Sequence, residues 1–296
     1  MFVAIDKGYL RQQGLAVELT QLPSIAEMIA PLASDQVQVA IGGIGPGLFN
    51  AVARGIGMEL VGTAAYFTPS HSYYLVARKS LVDSGGLKSE ADLRGKTMAV
   101  SAPLTSIHLF YAKALQRGGL SFNDGKYVTL TFPDMLPALG NGNVDLAFLP
   151  EPFAASAVSK GIAVRWRSIG DLVPNQPAEI WLYSQKLAET QPDIAKRFMV
   201  AILHGERDYI DAFQKNRGRE EVIAAMINHS PVKDRALYDQ MDYPDAPPNG
   251  EVSLVLLQQN LDFFKAQGGV ETAPDLSKVV DPQFAKYASE QLGPYH

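Results

Sequence analysis

A glycine-rich turn offers backbone groups that a small polar molecule could approach. It contains Gly43, Ile44 and Gly45, between the apolar segment 37–41 and the segment 48–54. The pattern predicts a strand that ends at the turn and a helix that begins after it. Glycine allows close approach of a ligand, and free N–H groups at a helix amino end favour anions. The turn therefore indicates either a ligand contact or an ordinary turn of an α/β sheet.

A second turn, of similar placement, carries hydroxyl groups. Ser101, Thr105 and Ser106 follow a predicted strand at 97–100 and open a predicted helix at 107–116. Hydroxyls together with helix N–H groups suit a carboxylate, sulfonate or phosphate. The alternative is helix capping by Thr105 or Ser106 without any ligand.

Four other side chains could contribute to a site. Glu151 ends a predicted strand and could accept from an amine or a ring N–H, or it could cap its own helix. Tyr66 and Trp181 could stack on a flat ligand, or they could pack in the core. His71 lies on a loop, where it could reach a ligand or simply face solvent.

Two nucleotide-binding motifs are approximated, and both fail. Gly43 and Gly45 fit a dinucleotide fingerprint, but its third glycine would stand where the chain has Leu48. The segment 95–97 imitates the end of a phosphate-binding loop, but the first glycine of that loop would replace Glu90. That segment also leads into a strand instead of the required helix. Nucleotide hydrolysis and dinucleotide binding are therefore excluded as readings.

Composition excludes further classes of protein. The 296 residues carry a net charge of −5 and form no basic stripe, so we expect no nucleic-acid partner. There is no cysteine, and hence no thiol catalysis or thiolate metal site. The five histidines lack metal-ligand spacing, and no catalytic set, metal site or cofactor is predicted. No apolar stretch is long enough to span a membrane, and no signal peptide is visible.

The alternation of elements predicts an α/β fold with two open, mostly parallel sheets, flanking helices and a helical tail. In the first part we expect a strand at 15–19, a capping box from Ser24 to Glu27, and strands at 37–41, 59–65 and 72–77. A second alternating series follows the polar stretch 83–94. Helical patterns dominate after residue 194 and cover one of the two sheets. The expected first lobe therefore comprises 1–86 plus 177–296, and the expected second lobe comprises 87–176.

The order and spacing of several motifs resemble solute-binding proteins of bacterial ABC importers. The similar branch is the SsuA/THI5-like one, which binds nitrate, alkanesulfonates, taurine and thiamine-precursor pyrimidines. The resemblance covers residues 1 to about 200. In the first half of that range the matching stretches are 2–9, Gly14-Leu15, 39–43 and 50–55. In the second half they are 92–96, Ala138-Leu139, Gly142, Val144-Asp145 and 151–153.

The resemblance implies two α/β lobes of periplasmic-binding-protein type II, ligand capture in the interlobe cleft by hinge closure, and delivery to an inner-membrane permease. It also implies periplasmic or lipid-anchored residence, and we expect a monomer. The turn at Gly43 to Gly45 matches a ligand-contacting loop of the family. The family has a signal peptide and a first strand before the helix that holds Phe2 to Tyr9, so we expect the true start to lie upstream of Met1.

These observations predict a binding protein for a small aromatic or heterocyclic ligand, such as a pyrimidine or an organic sulfonate. Neither turn contains lysine or arginine, which disfavours nitrate and bicarbonate. The alternative is a cytoplasmic enzyme of the same fold in thiamine-pyrimidine or menaquinone biosynthesis. The relative that makes the thiamine pyrimidine carries a cysteine-rich motif, which this chain lacks. A ligand-sensing domain of a regulator is a third reading, for which no output segment is present.

Overall fold

The structure, a computed structural model, describes residues 1–20, 22, 25–230 and 232–296. The chain forms two compact units: the first comprises Met1–Tyr66, Pro177–Arg235 and Asp245–His296, and the second comprises Phe67–Gln176 and Ala236–Pro244. The expected boundary at 86/87 thus differs from the observed one at 66/67. Residues 67–86 join the second unit because they include a strand paired inside its sheet.

The secondary structure alternates through both units. The strands are β1 (Val39–Gly42), β2 (Met58–Phe67), β3 (Tyr74–Arg78), β4 (Thr97–Val100), β5 (Lys126–Thr129), β6 (Leu146–Phe148), β7 (Ala163–Ser168) and β8 (Gln176–Ser184). The helices are α1 (Phe2–Asp6), α2 (Tyr9–Gln12), α3 (Ile25–Ala33), α4 (Pro46–Ala53), α5 (Lys79–Asp83), α6 (Ser106–Arg117), α7 (Phe132–Gly140), α8 (Phe153–Ser159), α9 (Ile169–Leu172), α10 (Gln185–Thr190), α11 (Pro192–Gln214), α12 (Arg219–His229), α13 (Arg235–Tyr238), α14 (Leu254–Ala266) and α15 (Gln283–Leu292). Short 3₁₀ turns occupy Glu90–Leu93, Phe122–Asp124 and Leu276–Lys278.

The sheet of the first unit has the order β1-β8-β2. Strand β1 runs antiparallel to β8, with Ile41 opposite Trp181 and Gly42 opposite Ile180. The long helix α11 packs against α1 and α15, and its apolar face lies on the same core as Trp181 and Tyr183 of β8. This sheet fixes the position of the glycine-rich turn, because the turn leaves directly from β1.

The sheet of the second unit has the order β5-β4-β6-β3-β7. Strand β4 is parallel to both β5 and β6, whereas β3 is antiparallel to both β6 and β7. The sheets are therefore mixed, and the expectation that they are mostly parallel is wrong. The Asn175 N–H donates to the Phe67 carbonyl at 2.8 Å. This bond joins the two ends of the segment Phe67–Gln176, whose first and last strands, β3 and β7, run in opposite directions.

Local expectations differ from the structure at two places. The segment 15–19 forms no strand, and no neighbouring strand pairs with it in the described sheet. The first helix is split into α1 and α2 at Gly8, which has a φ of 76°. Ser24 of the expected capping box lies outside the described residues. The expected helices near 194–213, 220–228 and 252–264 are confirmed as α11, α12 and α14.

Among the described residues, no helix combines the length and the apolar character needed to cross a bilayer.

Candidate functional site

The glycine-rich turn exposes the backbone at Gly43 and buries the side chain of Ile44 in the core. Gly43 is exposed, while Ile44 is buried at 2% exposure and lies in the core. Gly45 precedes α4 in an extended conformation, and Pro46 begins the helix. A Cβ added to Gly45 would meet no atom within 4 Å, so open space lies above its backbone. Any contact that this turn makes to a ligand therefore comes from the backbone, with Ile44 as its anchor.

A carboxylate stands beside this turn, and sequence reasoning did not select it. Because Gly42 pairs with Ile180 in antiparallel register, Glu179 is the residue that faces Gly43 across the two strands. The Ala178 carbonyl oxygen lies 3.5 Å from the position that a Cβ on Gly43 would take. Solvent reaches the Glu179 side chain, although the protein packed around it raises its pKa above the ordinary value. The alternation of Glu179 with Ile180 along the predicted strand was the available signal.

Trp181 does not offer a stacking face. Its side chain is 1% exposed, and its ring packs edge-on against Phe198 at 6.1 Å. The indole Nε1–H donates to Oε1 of Glu206 at 2.9 Å. The prediction that Trp181 stacks on a flat ligand is therefore corrected: the side chain lies in the core, which was its alternative role.

Tyr66 remains a candidate for contact with a ligand, because its side chain is partly exposed in the first unit. It stands near the end of β2, is partly exposed, and exchanges two backbone hydrogen bonds with Asp245 at 2.8 and 3.0 Å. Partial burial, with smaller effects from Asp245 and Glu251, raises the pKa of its phenol above the ordinary value. The hydroxyl therefore stays protonated at neutral pH and remains a hydrogen-bond donor.

The hydroxyl-bearing turn of the second unit is strained. Leu104 has a φ of 46°, in the left-handed region that bulky side chains avoid. Thr105 is the N-cap of α6, and its N–H donates to Nδ1 of His108 at 3.1 Å. Thr105 and His108 thus form a capping box, as the capping alternative predicts, but the Thr105 Oγ1 has no partner at normal hydrogen-bond geometry among the described residues. Strained backbone and an unsatisfied buried hydroxyl often mark functional turns.

Ser106 and Ser101 flank this hydroxyl on the same turn. Ser106 is the first residue of α6, and Ser101 directly follows β4; both are partly exposed. His71 lies on a different loop, where its N–H donates to Oγ1 of Thr68 at 3.0 Å. The structure thus groups Ser101, Thr105 and Ser106 on one turn and places His71 apart from it in sequence, on the loop that precedes β3.

Glu151 is already engaged by the protein. One carboxylate oxygen accepts from the Ala155 N–H at 2.9 Å, and the other accepts from the Asp242 N–H at 3.0 Å. Arg165 lies 3.6 Å away and also pairs with Asp242. Burial raises the pKa of Glu151 to about 7. The helix-capping alternative therefore describes Glu151, which in addition anchors the segment Ala236–Pro244 to the second unit.

Two binding proteins of known sequence are similar to this chain. The taurine-binding periplasmic protein of Escherichia coli (strain K12) is 25% identical over 206 residues, which cover 69% of this chain and 61% of that protein. The match thus spans less than two thirds of that relative. The putative aliphatic sulfonates-binding protein of the same organism is 26% identical over 248 residues, covering 84% of this chain and 74% of the relative.

Solved structures share the fold. The alkanesulfonate-binding protein SsuA of Xanthomonas axonopodis pv. citri, bound to MOPS, superposes with a TM-score of 0.73 at 18% identity, covering 95% of this chain and 93% of its own. The desulfurization enzyme DSZB has a TM-score of 0.65 at 17% identity, covering 99% and 96%. The fold is therefore that of periplasmic binding proteins, as expected. The family model described as NMT1/THI5 like matches residues 1–214. The chain belongs to the NMT1/THI5-like family.

Proposed function

We propose that this protein is the solute-binding component of an ABC importer and that its ligand is a small organic sulfonate. The observation that carries the proposal is the strained turn at Leu104 to Ser106. It holds an unsatisfied hydroxyl at the amino end of α6, a helix of 12 residues. Sulfonate oxygens accept hydrogen bonds from hydroxyls and from helix N–H groups without needing a basic side chain. The names of the taurine-binding and sulfonate-binding relatives support this ligand class.

The proposed sulfonate differs from the aromatic or heterocyclic ligand that the sequence predicts. The aromatic or heterocyclic preference depended on Trp181 and Glu151. Trp181 is buried, and both oxygens of Glu151 accept from backbone N–H groups. Tyr66 remains as an aromatic side chain that could line the site in the first unit. The organic part of the ligand is therefore small and need not be aromatic.

The remaining expectations of the resemblance belong to the same proposal. We take the first and second units as the two lobes of the family fold and ligand-driven closure as the capture mechanism. The protein is then periplasmic and monomeric, and it delivers ligand to an inner-membrane permease. The name of the taurine-binding periplasmic relative supports this location.

An enzymatic role is the competing reading, because DSZB has the same fold. The curated relatives at 25% and 26% identity are named as binding proteins. Together with the absence of a catalytic set in the sequence, this favours binding without conversion. Steady release of product from a bound sulfonate would contradict the proposal.

Isothermal titration calorimetry with taurine, ethanesulfonate, benzenesulfonate and nitrate tests the function. We expect binding of at least one sulfonate and weak or absent binding of nitrate. Thr105→Ala removes a hydroxyl donor and should weaken sulfonate binding by about tenfold to a hundredfold, since a hydrogen bond to a charged group contributes about 1.5–3 kcal/mol. Thr272→Ala, on an exposed loop, is the matched control. If no sulfonate binds, or if both variants bind like the wild type, the proposed site is wrong.

A further inference from the structure

Two hydrogen bonds join His108 to the hydroxyl-bearing turn of the second unit. The Thr105 N–H donates to Nδ1 of the His108 ring at 3.1 Å, and the His108 N–H donates to the Thr105 carbonyl oxygen at 2.9 Å. That carbonyl competes with the Thr105 Oγ1 for the His108 N–H, and Oγ1 is left without a partner at normal geometry among the described residues. His108 thus holds the backbone of the residue whose hydroxyl belongs to the proposed sulfonate site.

The hydrogen bond at Nδ1 fixes the protonation state of the ring. A backbone N–H can only donate, so Nδ1 must present a lone pair, and the single proton of the neutral imidazole is on Nε2. A protonated ring carries a hydrogen on both nitrogens, and its Nδ1–H would then face the Thr105 N–H. Protonation of His108 therefore removes the acceptor of the Thr105 N–H.

The ring of His108 lies among aromatic side chains. The residue is 6% exposed, and its ring centroid lies 6.0 Å from that of Phe122 and 5.3 Å from that of Tyr127. Tyr127, on β5, is itself titratable, but burial raises the pKa of its phenol, so it is uncharged at neutral and acidic pH. Neither neighbour offers a charge that would stabilise an imidazolium.

The charged groups on the other elements packed against α6 are engaged elsewhere. Asp124, on the 3₁₀ turn below the ring, pairs with Arg94. Glu90 and Asp171 lie beside the carboxyl end of α6. Burial lowers the pKa of His108 below its ordinary value, while the backbone of the turn has a smaller effect in the opposite sense. Within the part of the chain that the structure describes, no charged side chain contributes to that pKa.

We propose that His108 is a positioning residue of the sulfonate site: its neutral ring holds the hydroxyl-bearing turn in the binding conformation, and its protonation releases the turn and the ligand. This inference rests on the proposed function and adds a pH-dependent control to the same site. The left-handed backbone at Leu104 persists only while neighbouring contacts hold it. The bond from the Thr105 N–H to the ring, on the next residue, is such a contact.

A positive ring could also act on the ligand directly. An imidazolium that stayed in place would attract the sulfonate and raise its affinity in acid. The aromatic surroundings disfavour that state, because a charge there is poorly hydrated and has no partner. A charged ring that turns toward solvent is screened by water and salt, so the release of the turn outweighs the attraction. The two effects have opposite signs, and the pH dependence of affinity separates them.

Calorimetry between pH 5 and 7.5 tests the inference, with taurine, ethanesulfonate and benzenesulfonate, whose charges do not change in this range. We expect the affinity of each sulfonate that binds to fall as pH drops below the pKa of His108, by up to about tenfold per pH unit. An affinity that stays constant or rises in acid would overturn the inference and leave the proposed function intact. If none of the three binds at pH 7.5, the proposed function itself fails, and this inference with it.

Variants assign the effect to His108. In His108→Asn the side-chain Oδ1 can replace Nδ1 as the acceptor and does not titrate, so we expect near wild-type affinity at pH 7.5 and no loss at pH 5. His108→Leu removes the acceptor and should weaken binding by roughly tenfold at every pH. His296→Asn makes the same exchange at an exposed position and should keep the wild-type loss in acid. A loss in acid that persists in His108→Asn, or wild-type affinity in His108→Leu, would overturn the assignment.

A measurement without ligand tests the hydrogen bond itself. In ¹H–¹⁵N spectra recorded between pH 5 and 7.5, the Thr105 amide should shift together with the titration of the His108 ring, and this shift should vanish in His108→Asn. Chemical shifts of the ring nitrogens should show Nδ1 without a proton at pH 7.5. A proton on Nδ1 at that pH, or a Thr105 amide that does not respond, would show that His108 does not hold the turn.

Discussion

At the scale of single residues, the position of a carboxylate in the sequence does not predict whether the protein already satisfies it. Glu151 ends a strand, as a ligand-binding residue often does, yet both of its oxygens hold backbone N–H groups. Glu206 lies inside a helix with no sequence signal around it, yet it keeps an unsatisfied oxygen. Strand ends can be read from local pattern. Which carboxylate is already satisfied depends on residues 91 positions away, such as Asp242, and cannot be read locally.

Replacing Glu151 by glutamine tests its structural role. The amide has one acceptor oxygen for two backbone donors, and its NH₂ group would face the other N–H. We expect the free energy of unfolding to fall by about 1–3 kcal/mol, measured by urea denaturation at pH 8. Glu290→Gln, exposed on α15, should change little. Unchanged stability together with reduced sulfonate affinity would instead return Glu151 to the binding site.

At the scale of elements, the turns and long helices follow from the sequence, whereas pairing partners do not. The glycine-rich turn between β1 and α4 and the hydroxyl-bearing turn before α6 stand where the pattern predicts them. The segment 15–19 alternates like a strand, but a strand also requires a neighbour, and none pairs with it in the described sheet. Likewise, strand direction in the second unit depends on where the chain enters and leaves, which no local pattern encodes.

The packing of α1 on α11 offers a test at this scale. A Cβ added to Gly205 of α11 would lie 2.9 Å from the Ala4 nitrogen and 3.0 Å from its Cβ. Gly205→Ala should therefore separate the two helices and reduce the free energy of unfolding by about 1–3 kcal/mol, despite the better helix propensity of alanine.

Gly140→Ala is the matched control for that helix contact. It also adds a methyl group to a helix, but the nearest atom is 3.9 Å away, on Ile162. We expect it to be neutral or stabilising by up to about 1 kcal/mol. Thermal unfolding of both variants would decide the matter, and equal midpoints would show that α1 does not pack closely against Gly205.

At the scale of the whole molecule, the division into units is where sequence reasoning was least complete. The order of elements predicts that the chain returns to the first lobe near residue 177; the first compact unit resumes at Pro177. The segment Ala236–Pro244 is not predicted to join the second unit, because its attachment rests on the ion pair of Asp242 with Arg165 of β7 and on the hydrogen bond from the Asp242 N–H to Glu151 of the β6–α8 loop. Such pairs join distant parts of the chain and leave no periodic pattern.

The stability of the whole molecule should depend on pH, because several buried side chains have shifted pKa values. Burial raises the pKa of Glu59 and Glu151 to about 7 and that of Glu206 to about 8. A carboxyl whose folded pKa lies above its unfolded value of about 4.5 keeps a proton that the unfolded chain releases. The stability that these groups contribute is present at low pH and is lost as pH rises toward 7 and 8. His108 and His204, whose pKa values are lowered, act in the opposite sense below about pH 6.5.

Between pH 6.5 and 8.5 the decline should come largely from Glu206. Glu206→Gln removes this titrating group. We therefore expect the unfolding midpoint of the wild type to fall relative to that of Glu206→Gln as pH rises through this range. Thermal denaturation of both proteins at pH 6.5, 7.5 and 8.5, without ligand, measures the difference. A constant difference across the range would show that Glu206 does not titrate there.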